Sequence, residues 1–487
     1  MIRSWGIAIA IASAQGIIVG ATYSHVCKTI AEKFSTPGAV YYPGSDGFKN
    51  LARHWASSSD EVPACVVMPH TVEDVGKTLR IVGRTRTSFA VMGAGHALSP
   101  FLSSTTGIHI STAAFTSIKY NNATKRVTFG AGLNWVELYT ALQPHGVGVP
   151  GARAPGVGVG GFLAGAILGI PIRSASPSTV FEAFELVKPC GTVIDVTHES
   201  DPELFFALKG GGNNFFTMQT FPQGLVWRGQ VTYANPDVFP TVISALAEFS
   251  AAATDPKAGL SGAAAALQGT HSMVVQMFYD GPRPPAGLFD ELLAVEFATN
   301  TVASQSFLSM IKSIPFTEEL AGVRAYNLGV SVPAYSLDFL NIVKRETFHQ
   351  VENAELTNIS LALLLTSEPF LPSILSHNKY GTAYPFTRDV AYTPFAIFVA
   401  WTGPKYDDAI KRGIEKIRDK LEAALVEEGY EGVPTSPSYP NYALWDAPLD
   451  RIYGSNLPKL QEIKRRVDPD NVMGLAGGFK ISPNSAT

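Results

Sequence analysis

Charge is scarce in this 487-residue chain: Asp, Glu, Lys and Arg make up 16% of it, against roughly a quarter in average proteins. The 37 basic and 41 acidic side chains leave a formal charge of −4, with no cluster of Lys and Arg. That excludes a polybasic nucleic-acid binder. Cysteine is scarcer still, at Cys27, Cys65 and Cys190, with no CxxC and no paired Cys/His spacing. A zinc module and a disulfide-dense scaffold are excluded. No internal repeat or low-complexity block stands out, and 46% apolar content is too high for disorder. What the chain has in quantity is glycine: 44 residues, bunched between Gly93 and Gly224. Glycine in such density marks places where backbone must approach something closely.

The longest apolar run opens the chain. Arg3 gives a short positive head, residues 5–21 are almost entirely apolar and small, and Gly20-Ala21 offers a small-residue exit. This reads as a secretory signal over residues 1–21. A membrane anchor is the alternative, since about 17 apolar residues is the lower edge of a spanning helix; the Gly, Ser and Gln interruptions favour cleavage. The sequons Asn122-Ala123-Thr124 and Asn358-Ile359-Ser360 support export. In an oxidising compartment parity leaves Cys27 and Cys65 able to pair and Cys190 unpaired.

Periodicity places a helix over residues 71–84, with Thr71 as cap and Val72, Val75, Leu79 and Val82 on one face. Short strands follow at 89–92 and 127–129, each running into a glycine-rich turn, and residues 135–142 read as helical. Residues 181–187 and 192–196 flank Lys188-Pro189-Cys190-Gly191 as a hairpin. A helix starts at Ser200-Asp201-Pro202-Glu203, with Glu203 able to complete a capping box. Beyond Val231 glycine thins out and longer helices alternate with strands at 273–279 and 395–401; the clearest helix spans 406–428. The mixture lacks the regular alternation of a doubly wound sheet, so the class is α+β.

Residues 146–161 contain a formal G-x-G-x-x-G at Gly156, Gly158 and Gly161. A nicotinamide fingerprint needs a strand immediately before it, and Pro150 and Pro155 forbid a central one. The physical purpose of such glycines survives: backbone N–H groups can crowd a pyrophosphate. A second clue is Gly93-Ala94-Gly95-His96 directly after a strand, where small residues let a planar group lie against backbone within reach of an imidazole.

In order and spacing the motifs resemble a known family. They run from Pro63-Ala64-Cys65-Val66-Val67 through Gly93-Ala94-Gly95-His96, Val127 to Gly132 and Val157-Gly158-Val159-Gly160-Gly161. They continue through Asp201 to Phe205, Ala207 to Phe215 and Thr220 to Gly224, and close at Tyr439-Pro440-Asn441-Tyr442 and Val467 to Asn471. The chain resembles berberine-bridge-enzyme-like members of the vanillyl-alcohol-oxidase superfamily, in the style of fungal secreted FAD-linked oxidoreductases. The resemblance spans nearly everything after the leader.

It implies a PCMH-type two-subdomain FAD-binding fold over residues 22–231, an inserted α+β substrate domain with an antiparallel sheet over 232–436, and a C-terminal segment, 437–487, completing the FAD domain. His96 matches the histidine bonded covalently to the flavin. Gly93, Ala94, Gly95, Ala97 and Leu98 match the pyrophosphate-binding loop, together with Gly151, Gly156, Val157, Gly158, Gly160 and Gly161. A second attachment, present in some relatives, uses a cysteine that residues 151–156 lack. Tyr442 is the candidate base, with Tyr439 and Asn441 beside the ring; a tyrosine of pKa ~10 needs help to act so. No metal site is expected. The implied partners are a small-molecule substrate and O2, without nucleic acid and without stable membrane association once the signal is cleaved.

Two segments depart from the family pattern. Residues 162–178 replace a glycine run and a Lys-Tyr-Gly segment, and 215–220 match the family's strand poorly. These favour an alternative: a non-redox or inactive protein on the flavin scaffold, such as a cyclase. Residues 380–401 are aromatic-rich and line either a substrate pocket or a core.

Overall fold

A computed structural model describes residues 23–164, 181–209, 215–314, 319–349, 360–371, 381–385 and 392–483. The leader, most of the altered segment 162–178, Gly210 to Gly212, Asn358 and much of the aromatic run 380–401 lie outside the described residues. Among the described residues three sheets carry the fold.

The first sheet holds β1 (Val40–Tyr41), β2 (Cys65–Val67), β3 (Phe89–Met92) and β4 (Ile108–Ser111), in the order β1-β2-β4-β3. β2 and β3 both run parallel to β4, which the helix Val72–Thr85 makes possible by crossing between β2 and β3. That helix starts where expected: the Thr71 side chain accepts from the Asp74 N–H at 3.2 Å. Its face of Val75, Leu79 and Val82 packs with Phe89, Ile108 and Ile110. Cys27 and Cys65 form a disulfide that ties the N-terminal helix, residues 23–33, to β2, while Cys190 is free and exposed. The end of the chain returns to this sheet: Ala476 bridges Phe89, and the Gly477 N–H donates to the Phe89 carbonyl at 2.9 Å.

The second sheet is antiparallel, with β5 (Ile118–Asn121), β6 (Arg126–Gly130), β8 (Phe181–Val187), β9 (Val193–Val196) and β10 (Phe215–Gln219) in the order β5-β6-β10-β8-β9. β10 is the segment whose sequence matched poorly, yet it pairs with both neighbours because Phe216 and Met218 fill the core on alternate positions. β8 and β9 form the expected hairpin, with Gly191 at φ +81°. One expectation fails in detail. Asp201, not Ser200, caps the helix Pro202–Leu208 by accepting from the Leu204 N–H, while Ser200 bonds back to Thr197. Pro202 then sits in the first turn, and Glu203 pairs with Arg466 instead of closing a capping box. A short ribbon of β7 (Val147–Gly148) and β11 (Phe221–Pro222) lies alongside.

The third sheet has eight strands: β12 (Leu225–Tyr233), β13 (Ala258–Leu267), β14 (Thr270–Tyr279), β15 (Thr299–Asn300), β16 (Ala303–Ser306), β17 (Arg324–Val332), β18 (Ser360–Ser367) and β19 (Thr393–Trp401). Their order is β15-β12-β14-β13-β18-β19-β17, with β16 beside β12, and every pairing is antiparallel. Residue 231, where the sequence reading ends the first domain, falls inside β12. One face carries helices; Ile410, Ile414, Ile417, Leu421 and Leu425 of Asp407–Glu427 are buried against it. Along β13 the alternation is plain: Leu260, Ala264 and Ala266 join that core, while Ser261, Ala263, Ala265 and Leu267 face a cavity.

Candidate active site

β3 delivers the chain into the loop Gly93 to Leu98. Gly95 takes φ +71°, a left-handed conformation that favours glycine, and its carbonyl accepts from the Trp55 N–H at 2.8 Å. The Trp55 indole in turn stacks on the His96 ring, centroids 4.9 Å apart and planes 14° from parallel. His96 is almost fully enclosed, and burial pushes its imidazole down to about 4, so the ring is neutral at physiological pH. Its Nε2 is buried without a hydrogen-bond partner, which is unusual for a polar atom that costs roughly 1–3 kcal/mol unsatisfied. The second loop crosses close by. A Cβ on Gly158 would stand 2.9 Å from the Ala94 backbone nitrogen, so only glycine fits between the strands of backbone here.

Facing these loops is a polar cluster at the mouth of the large sheet. Tyr442 is held in a turn where its N–H donates to the Tyr439 carbonyl at 2.9 Å. Its hydroxyl donates to Glu368 Oε1 at 3.1 Å and lies 3.3 Å from an Arg153 guanidinium nitrogen. Arg153 and Glu368 form an ion pair. Burial raises the Tyr442 phenol above its ordinary value, and the adjacent Arg153 works against that rise. The Tyr439 ring meets Tyr442 edge-on at 4.9 Å, and Asn441 donates to the Tyr439 hydroxyl at 2.9 Å. Behind them the Tyr335 hydroxyl accepts from the Glu368 N–H at 3.1 Å, fixing the backbone that carries the carboxylate.

A cavity of about 940 Å³ separates the two groups. Every candidate residue from the sequence lines it except Gly156, which stands beside His96, where a Cβ would lie 3.9 Å from Nε2. Three contributors escaped sequence reading: Trp55, Arg153 and Glu368. Arg153 is the single charge in the run 146–161, a visible signal; Glu368 follows β18 with no motif around it. On the sheet wall, Asn327 also has a buried Oδ1 without a partner. The large volume, the unpartnered histidine nitrogen and the glycine-only backbone crossing fit a flat dinucleotide with space left for a substrate. The nicotinamide fingerprint does not hold: β7, before it, is two residues long and antiparallel to β11. Among the described residues no group of His, Cys, Asp and Glu is placed to hold a metal ion, and no helix is long and apolar enough to cross a membrane.

Two glycine-dense loops, a neutral histidine and the Tyr442 cluster thus share one cavity, an arrangement that fits a flavin-dependent oxidoreductase. Comparison with known proteins places the chain among proteins of that class. Residues 63–197 match the FAD binding domain model, and residues 438–476 match the berberine and berberine-like model. The FAD-dependent monooxygenase drtC of Aspergillus calidoustus is 26% identical over 478 residues, covering 94% of this chain and 90% of the relative. In fold, the carbohydrate oxidase of Microdochium nivale superposes with a TM-score of 0.76 at 16% identity, over 94% of this chain and 100% of its own. Glucooligosaccharide oxidase of Acremonium strictum, whose FAD is 6-S-cysteinyl, 8α-N1-histidyl, gives 0.74 at 14% identity, over 92% and 97%. The chain carries an FAD-binding domain and a berberine-like C-terminal segment, resembles fungal FAD-linked oxidoreductases over nearly its whole length, and takes FAD as its cofactor. The non-redox alternative is not favoured.

Proposed function

We propose that this protein is an exported oxidase that removes hydride from an alcohol or amine carbon of a small substrate, a specialised metabolite or sugar, with O2 as the final acceptor. The observation that carries it is the Tyr442–Glu368–Arg153 cluster facing His96 across one cavity. When bound, FAD supplies the acceptor for the hydride and passes the two electrons to O2, giving H2O2. The chain supplies the rest. Tyr442 takes the substrate proton on its hydroxyl oxygen while its own proton passes to Glu368, already hydrogen-bonded to it. Arg153 pairs with Glu368 and orients its carboxylate toward the Tyr442 hydroxyl. Tyr439 and Asn441 hold the Tyr442 ring in place.

His96 is proposed as the covalent attachment point. Its neutral, enclosed ring has a nitrogen free to bond, and the Acremonium enzyme holds FAD through a histidine and a cysteine. Residues 151–156 carry no cysteine, so one link is proposed. The pyrophosphate falls to the backbone around Gly93 to Leu98 and Gly151 to Gly161. The proposed division places the FAD-binding part before Leu225 and again after residue 436, with the eight-stranded sheet and its helices between. Export is supported by the leader, the Cys27–Cys65 disulfide and the exposed turn carrying Asn122.

Acid precipitation of the purified protein tests attachment: the pellet is expected to be yellow, and that of His96→Ala colourless. A colourless wild-type pellet overturns the link. Wild-type holoenzyme is then offered sugars, alcohols and amines with peroxide as readout; no peroxide and no anaerobic bleaching across the panel overturns the oxidase.

A further inference from the structure

Arg228 on β12 is 6% exposed, and its guanidinium has no carboxylate partner among the described residues. It donates to Gln276 Oε1 at 2.6 Å and more weakly to the Met310 carbonyl at 3.5 Å, both neutral. Buried charges are ordinarily paired, because desolvating an ion without compensation is expensive. Burial, and after it the like charge of Arg153, push the Arg228 guanidinium down to about 10. Arg153 has already committed to Glu368. The neighbourhood therefore holds two guanidinium groups against one carboxylate, a surplus of one positive charge.

That surplus borders a space. Arg153, Arg228, Ser261, Gln276, Phe278 and Leu371 line a recess of about 40 Å³. Arg153, Ser261 and Gln276 also line the main cavity, so the recess opens from it. Its volume suits two or three water-sized groups, about the size of one carboxylate. A guanidinium presents planar paired donors matched to such a group, and a surplus of one charge calls for a monoanion, not a phosphate dianion.

We propose that Arg228, with Gln276 and Arg153, binds a carboxylate, so that the substrate of this enzyme is a small organic acid oxidised at a carbon near its acid group. The inference rests on the oxidase reading for the word substrate, but the recess and its charge do not. Arg153 links the two functions: one side chain touches Tyr442 and Glu368 and also walls the recess. The oxidised carbon then lies within a few bonds of the carboxylate.

Calorimetric titration of the holoenzyme with benzoate and with its neutral counterpart benzamide tests this without turnover. Benzoate is expected to bind saturably, and benzamide at least tenfold more weakly. Arg228→Met is expected to weaken benzoate at least tenfold and to raise the melting temperature of the unliganded protein by a few degrees, since an uncompensated charge has left the interior. A merely structural arginine would lower it. Where Arg228→Met does not fold, Arg228→Lys carries the test, with benzoate weakened three- to tenfold and benzamide unchanged. Equal binding of the two probes, or benzoate affinity unaltered by either substitution, overturns the proposal. Benzoate binding without peroxide from any substrate would sink the oxidase and leave the recess standing; rapid oxidation of neutral sugars with no benzoate binding would do the reverse.

Discussion

The loops 93–98 and 151–161 and the face of the eight-stranded sheet line the same cavity, yet they are built on different principles. The loops work by what is missing. At Gly158 one added methyl would meet backbone, so the shape of the wall is set by main chain and tolerates little change. The sheet face works by what projects from it: alternate side chains such as Ser261, Gln276 and Thr366 stand into the cavity, while their neighbours hold the helices. Each of those can be exchanged without disturbing the ladder behind it. On the proposed reading, cofactor retention is a backbone property and substrate handling a side-chain property.

If that division holds, Tyr442→Phe gives the largest effect, a fall in kcat of about 10²–10⁴-fold with the flavin absorbance ratio unchanged. Loss of colour in parallel would break the division. Next in size is replacing Cys27 and Cys65 together by Ser. Their bond spans 38 residues and ties the N-terminal helix to the first sheet, and its loss costs about 2–4 kcal/mol. Hydrogen exchange should accelerate in β1 to β4 before the large sheet is affected; uniform acceleration would show one cooperative unit. Gly158→Ala is expected to cost about 1–3 kcal/mol through overpacking, read as flavin lost on dialysis from protein treated to block covalent attachment, for instance in a His96→Ala background.

The smallest effect is one of pH. His109 on β4 has a buried Nε2 without a partner, and burial, with His54 nearby, drives its imidazole down to about 3. The unfolded ring protonates near pH 6.5 and the folded one does not, so the unfolded state binds the extra proton between those values. Stability is complete above about pH 6.5 and falls as pH drops toward about 3. His109→Leu should flatten that limb of a melting-temperature profile; an unchanged slope would assign the acid sensitivity elsewhere.

The loop wall of the cavity was legible in the sequence because it is built from contiguous glycines and one histidine following a strand. Trp55 was not, since nothing local tells a tryptophan that it will lie flat on His96. Arg153 and Glu368 are separated by 215 positions, and only the fold brings them together. Local rules misfired where two cap residues sat side by side: Asp201 outcompeted Ser200, because Ser200 was already engaged by the turn at Thr197. β14 begins at Thr270 and not at Met273, because its polar first residues pair with Ala265, Ala266 and Leu267 of β13. Pattern reading by hydrophobicity stops short at such ends.

The return of the chain end to β3, with Ala476 beside Phe89, has a consequence for biosynthesis. His96 is translated before the eight-stranded sheet, and Tyr442 and the Ala476 strip after it. A nascent chain stalled within that sheet therefore has the glycine loops but lacks the Tyr439–Tyr442 turn and the strip that bridges β3, and it should emerge colourless.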